Sequence, residues 1–115
     1  MRIITGNRGS GKTVELVKEA NTLAAQGHRV IILTSHKVFE EIFKNYGLND
    51  KVQVITFKEY QRNSIGNDSY KNADILIDEI DIFLKAILNN NVASITANKE
   101  DMFEVKREDW SKNGK

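Results

Sequence analysis

The stretch Gly6-Asn7-Arg8-Gly9-Ser10-Gly11-Lys12-Thr13 decides how the rest of the chain is read. Two glycines stand four residues apart, followed at once by Lys and Thr. This is the pattern of a phosphate-binding loop, and each part of it has a chemical reason. Gly lets the backbone come close to a ligand and take positive φ. Successive N–H groups can then point inward and hold phosphate oxygens. Lys12 is placed to reach the β- and γ-phosphates, and the Thr13 hydroxyl to ligate Mg²⁺. A helix opening after the loop adds its positive dipole end. The flanks agree with the pattern. Arg2-Ile3-Ile4-Thr5 reads as a short strand before the loop, and an amphipathic helix follows it.

Composition narrows the field. The chain has 115 residues, which fits one domain over residues 1–110 and a polar tail over 111–115. Net charge is +1, so no strong field attracts nucleic acid or acidic membrane. There is no Cys, which excludes disulfides, thiolate zinc sites and Cys nucleophiles. No apolar run approaches the roughly 18 residues of a membrane span. The first strand opens at Arg2, which leaves no room for a signal peptide, and a cytoplasmic protein is the expectation.

Beyond the loop, Val14, Leu16, Val17, Ala20, Leu23 and Ala24 recur at helical spacing, and Gly27 is the expected stop. Arg29-Val30-Ile31-Ile32-Leu33-Thr34 is a nearly continuous apolar run, as in a strand covered on both faces. Ser35 is the expected cap of the next helix, where Val38, Phe39, Ile42, Phe43 and Tyr46 form a core stripe that ends at Gly47. Val52-Gln53-Val54-Ile55-Thr56-Phe57 reads as a third strand. Residues 58–72 are polar and aperiodic, with Gly66-Asn67-Asp68 as a turn signal. They read either as a binding loop carrying Lys58, Arg62 and Lys71 or as a solvated connection. Ala73-Asp74-Ile75-Leu76-Ile77 is a fourth strand that runs into Asp78-Glu79. A short helix follows, with Ile80, Phe83, Leu84, Ile87 and Leu88, and Asn89-Asn90-Asn91 breaks it. Val92-Ala93-Ser94-Ile95-Thr96-Ala97 and Met102-Phe103-Glu104-Val105-Lys106 read as a fifth and a sixth strand. His28 and His36 are lone surface residues. Trp110 reads as packing of the chain end, although with Tyr60 and Tyr70 it could stack on bases.

Strands alternating with helices give an α/β fold with a parallel sheet, and such sheets bind ligands at the carboxyl ends of their strands. Gly6 to Thr13 and Asp78-Glu79 both fall at such ends, so they can meet in space. Asp78 is the expected second holder of Mg²⁺ beside Thr13. Glu79 is the expected catalytic base that orients and deprotonates water, with Lys12 as its catalytic partner on the phosphates.

The loop together with Ile75-Leu76-Ile77-Asp78-Glu79 resembles P-loop ATPases of the additional-strand, catalytic-glutamate class, which includes RecA-like and AAA+ proteins. Val30-Ile31-Ile32-Leu33-Thr34 looks like motif Ia of superfamily-one helicases, and Val52-Gln53-Val54-Ile55-Thr56-Phe57 like their motif Ib. The opening from Ile3 through Thr13 is also similar to small phage ATPases of the zonula-occludens-toxin type. The resemblance spans roughly residues 2 to 98. It implies a three-layer fold with a mainly parallel sheet of five or six strands, including a strand between the two Walker strands. It implies Mg-dependent ATP hydrolysis in DNA metabolism, with Thr96 or Asn98 sensing the γ-phosphate. DNA, a DNA-processing protein or further copies of the chain are the implied partners.

The chain departs from that class in having room for one motor domain and no visible arginine finger. Two rivals stand beside the ATPase reading. Asn98-Lys99-Glu100-Asp101 fits the guanine-recognition motif of GTPases, although Asp78 lacks the x-x-Gly that should follow it. Alternatively, the loop serves a non-hydrolysing nucleotide-binding or interaction module. Thymidine kinases share the early strand order but need a Cys-borne zinc site.

Overall fold

The computed structural model describes residues 1–64 and 70–106. The elements run β1 (Ile3–Thr5), α1 (Lys12–Ala25), β2 (Val30–Thr34), α2 (Phe39–Asn45), β3 (Gln53–Thr56), α3 (Phe57–Ser64), β4 (Asp74–Ile77), α4 (Ile80–Leu88) and β5 (Met102–Glu104), with a 3-10 turn at Lys99–Asp101. Three of the strands form one parallel sheet in the order β3-β2-β4, and β1 pairs in parallel with β5.

Strand β2 is the axis of the larger sheet, and all five of its residues are buried. Its side chains alternate between two cores, as the pleat requires. Val30 and Ile32 join Leu16, Val17 and Ala20 of α1, Phe43 of α2, Val54 and Leu76. Ile31 and Leu33 join Ile55 and Phe57, with Tyr60 of α3 and Phe83 of α4 against them. Helices thus cover both faces, which is why the sequence there is continuously apolar. The two glycine stops hold as expected. At the end of α1 the N–H groups of Gly27 and His28 bond the carbonyls of Ala24 and Leu23. At the end of α2 those of Gly47 and Leu48 bond Lys44 and Phe43. Both are Schellman closures, and buried Leu48 and Phe43 supply the apolar contact that goes with the second.

Four expectations need correction. The sheet does not have five or six strands; it is a three-stranded and a two-stranded parallel unit. The difference lies in Val92 to Ala97, which forms no strand and is exposed beyond Val92. Its two large apolar residues, Val92 and Ile95, have opposite parity, so a strand would bury one on each face among Ala, Ser and Thr. That burial is too small to offset the ordering of six residues.

Second, residues 58–72 are not one irregular segment, because α3 starts at Phe57. Thr56 and Glu59 form a capping box. The Thr56 N–H donates to Glu59 Oε1 (3.2 Å) and the Glu59 N–H to Thr56 Oγ1 (3.1 Å). Third, only Phe43 of the α2 stripe is buried, while Val38, Ile42 and Tyr46 lie exposed. They fall four apart on the outer side of a two-turn helix, and Phe39 and Phe43 take the inner side. Fourth, Ser35 does not cap α2, whose N-cap is Val38. The Gly66-Asn67-Asp68 turn, Arg107, Trp110 and the tail from Ser111 lie outside the described residues.

Candidate functional site

Residues 6–11 link the C-terminal end of β1 to the first turn of α1. Gly11 is the N-cap of that helix at φ 104°, a left-handed conformation that costs an L side chain about 1–2 kcal/mol. Within the loop, the Ser10 N–H donates to the Asn7 carbonyl (3.0 Å). The Lys12 ammonium donates to the carbonyls of Gly6 (3.0 Å) and Asn7 (3.1 Å). An ammonium has three protons, so this arrangement fixes Lys12 at the loop and leaves a donor to spare. Asn7, Arg8 and Gly9 are exposed, and Thr13 is half-buried in the first turn of α1. Ser10 is buried, and its hydroxyl has no hydrogen-bond partner among the described residues. An orphaned polar atom in a loop of backbone donors fits a site built for an anion.

Asp78 leaves the C-terminal end of β4, and its N–H donates to the Leu33 carbonyl of β2 (3.0 Å). Burial first and the neighbouring Glu79 second push its carboxyl up, Lys12 opposes both, and the net is about 6. Lys12 is thus near enough to act on the Asp78 carboxyl electrostatically, although the two leave different strands. Glu79 caps α4 with φ 63°, its carbonyl accepting from the Phe83 N–H (3.1 Å). A non-Gly residue in that region is uncommon and holds backbone strain. Glu79 is exposed to solvent.

Between the free edges of β1 and β4 runs a cleft of about 1100 Å³. Lys12, Asp78 and Glu79 line it together with the apolar walls Ile3, Ile4, Ile75 and Ile77. The structure therefore sets Gly6 to Thr13 at the carboxyl end of β1 and Asp78-Glu79 at that of β4, and of these Lys12, Asp78 and Glu79 line one cleft. It does not do so for the remaining candidates. Met102 pairs with Ile3, so Asn98, Lys99, Glu100 and Asp101 precede the N-terminal end of the β1–β5 pair. The loop leaves from the opposite end, about 13 Å away at roughly 3.3 Å per residue. Thr96 and Asn98 line the same cleft, but neither ends a strand, so the strand-end sensor position is not formed. Asp101 lines that cleft too, but no strand directly precedes Asn98 to Asp101, whereas the guanine-recognition reading sets the motif after one.

One residue at the loop escaped the sequence reading. The Val105 N–H donates to the Thr5 carbonyl (2.8 Å), and its own carbonyl lies 2.7 Å from where a Gly6 side chain would begin. Only the β1–β5 pairing reveals this, because nothing in the sequence sets Val105 beside Gly6. Among the described residues no group of three or more His, Cys, Asp or Glu side chains could hold a metal, and no helix is long and apolar enough to cross a membrane. The chain matches no protein-family model, no curated protein and no solved structure.

Proposed function

We propose that the chain binds Mg-ATP at Gly6 to Thr13 and hydrolyses it. The observation that carries this reading is that Lys12, Asp78 and Glu79 line one cleft although they leave different parallel strands. That cleft joins the cation of a phosphate-type loop to an acid from a separate parallel strand. The loop N–H groups and Lys12 hold the β- and γ-phosphates. Glu79 takes the proton of the attacking water.

One carboxylate and one hydroxyl, Asp78 and Thr13, suit a Mg²⁺ that arrives with the nucleotide. Mg²⁺ is commonly held by one or two carboxylates plus substrate phosphates and keeps several waters. When bound it neutralises charge on the β/γ oxygens. The resemblance to RecA-like domains extends the proposal to DNA metabolism (replication, recombination or phage DNA handling). DNA or a DNA-processing protein is then the partner, or further copies of the chain.

The test is Mg-ATP hydrolysis by the whole chain, alone and with single- or double-stranded DNA. Turnover that DNA stimulates supports the motor-type reading. Binding without turnover points to the nucleotide-switch alternative, and neither binding nor turnover removes the proposal.

A further inference from the structure

Val105 is the one buried residue after Leu76 among the described residues, at 6% exposure. It lies at the end of an edge strand whose three residues are all exposed. Val105 joins neither of the two core clusters, and its backbone sits against the start of the loop. Its N–H closes on the Thr5 carbonyl, one residue before Gly6. Its carbonyl then occupies the space beside Gly6 that any side chain would need. The Gly6 carbonyl in turn accepts the Lys12 ammonium. A chain of direct contacts thus runs from Val105 through Gly6 to Lys12.

A second tie reaches the other flank of the loop. The Arg2 guanidinium lies 4.4 Å above the ring of Phe103 in β5. The same group bonds Glu15 and Glu19 of α1, each at 2.9 Å. Strand β5 is therefore fastened both to the strand that enters the loop and to the helix that leaves it.

We infer that β5 is a latch that holds the phosphate loop in its binding shape, with Val105 as a positioning residue that acts through Gly6 on Lys12. This rests on the nucleotide reading for its consequence, but the latch itself can be measured without nucleotide. Because Val105 touches no expected ligand position, its loss weakens binding and leaves the chemistry of bound ATP largely intact. Anything that lifts the exposed edge strand loosens the loop, which makes β5 a point of control.

The experiment is amide hydrogen exchange on the nucleotide-free full chain, for wild type, Val105→Pro and Val105→Ala. Val105→Pro removes the N–H that bonds Thr5, and Val105→Ala keeps the bond but strips the packing. The Ser10 amide should exchange about five-fold faster or more in Val105→Pro, the typical worth of one hydrogen bond, while β2 amides are unchanged. The Mg-ATP KM should rise by a similar factor with kcat nearly retained. If Val105→Pro does not fold, Val105→Ala is judged on the same two readouts. Unchanged exchange at Ser10 overturns the latch, and so does equal acceleration of Ser10 and β2, which would show plain destabilisation. If wild type binds no Mg-ATP, the nucleotide reading fails while the exchange result still decides the latch.

Discussion

The Lys12 ammonium lowers the affinity of the Asp78 carboxyl for its proton, yet burial and Glu79 outweigh it and the group titrates at about 6 rather than 3.8. The fold therefore binds a proton at Asp78 more tightly than the unfolded chain does. The contribution of this group to stability is greatest below about pH 4, is lost as pH rises through the window from about 4 to 6, and is level above it. One pKa unit is worth about 1.4 kcal/mol, and partial exposure trims the total to ~1–2 kcal/mol. Urea unfolding of wild type and Asp78→Asn across pH 4 to 7 checks this. The Asn variant should lack that slope and should bind Mg-ATP more weakly.

Glu79 combines a left-handed backbone with the catalytic task proposed for it, so two substitutions should separate the roles. Glu79→Gln keeps the shape and removes the base, and turnover should fall ~10²–10⁴-fold with ATP binding intact. Glu79→Gly relieves the φ 63° residue, and the chain should become about 0.5–1 kcal/mol more stable while turnover is lost. Thermal melts read against steady-state rates decide both. A Gly variant that is less stable counts against stored strain at this position.

Helix α3 depends on the Thr56–Glu59 pair at its start. Thr56→Ala should cost about 1 kcal/mol, as should Glu59→Ala, with the double variant costing less than their sum. Denaturant midpoints for the three variants measure the coupling.

These elements show where the sequence was legible. The loop between β1 and α1 was readable because three glycines within six residues break regular structure. Strand β2 was readable because Val30 to Leu33 are apolar at every position, which only burial on both faces requires. Gly27 and Gly47 ended their helices as read. The capping box at Thr56-Phe57-Lys58-Glu59 was there to be seen, but the polar residues after it hid the helix behind a loop-like composition. Val92 to Ala97 misled in the other direction, since β-branched residues raise strand propensity without ensuring a face to bury. That Asn98 to Asp101 lie at the far end from the loop depends on the β1–β5 register, which no local pattern encodes.

Phosphoryl transfer gains 10³–10⁵ from a positive finger on the γ-phosphate. Arg8 is exposed within the loop itself, Arg62 is exposed in the last turn of α3, and Arg107 lies outside the described residues. Specific activity should accordingly rise with protein concentration, or with DNA as an assembly template. Arg62→Ala and Arg107→Ala are the variants to compare, and the finger should lower turnover with little change in binding. A monomer by light scattering whose turnover is near the enzyme median of about 10 s⁻¹ at every concentration would exclude assembly.

The most direct measurement is calorimetric titration of Mg-ATP into wild type and Lys12→Ala, with both shown to be folded by circular dichroism. On the proposed reading Lys12 supplies a charge-assisted contact to the phosphates, worth roughly 1.5–3 kcal/mol. Wild type should bind, and Lys12→Ala should bind at least ten-fold more weakly. Equal affinity in the two proteins, or no binding by wild type, would contradict a phosphate site at Gly6 to Thr13.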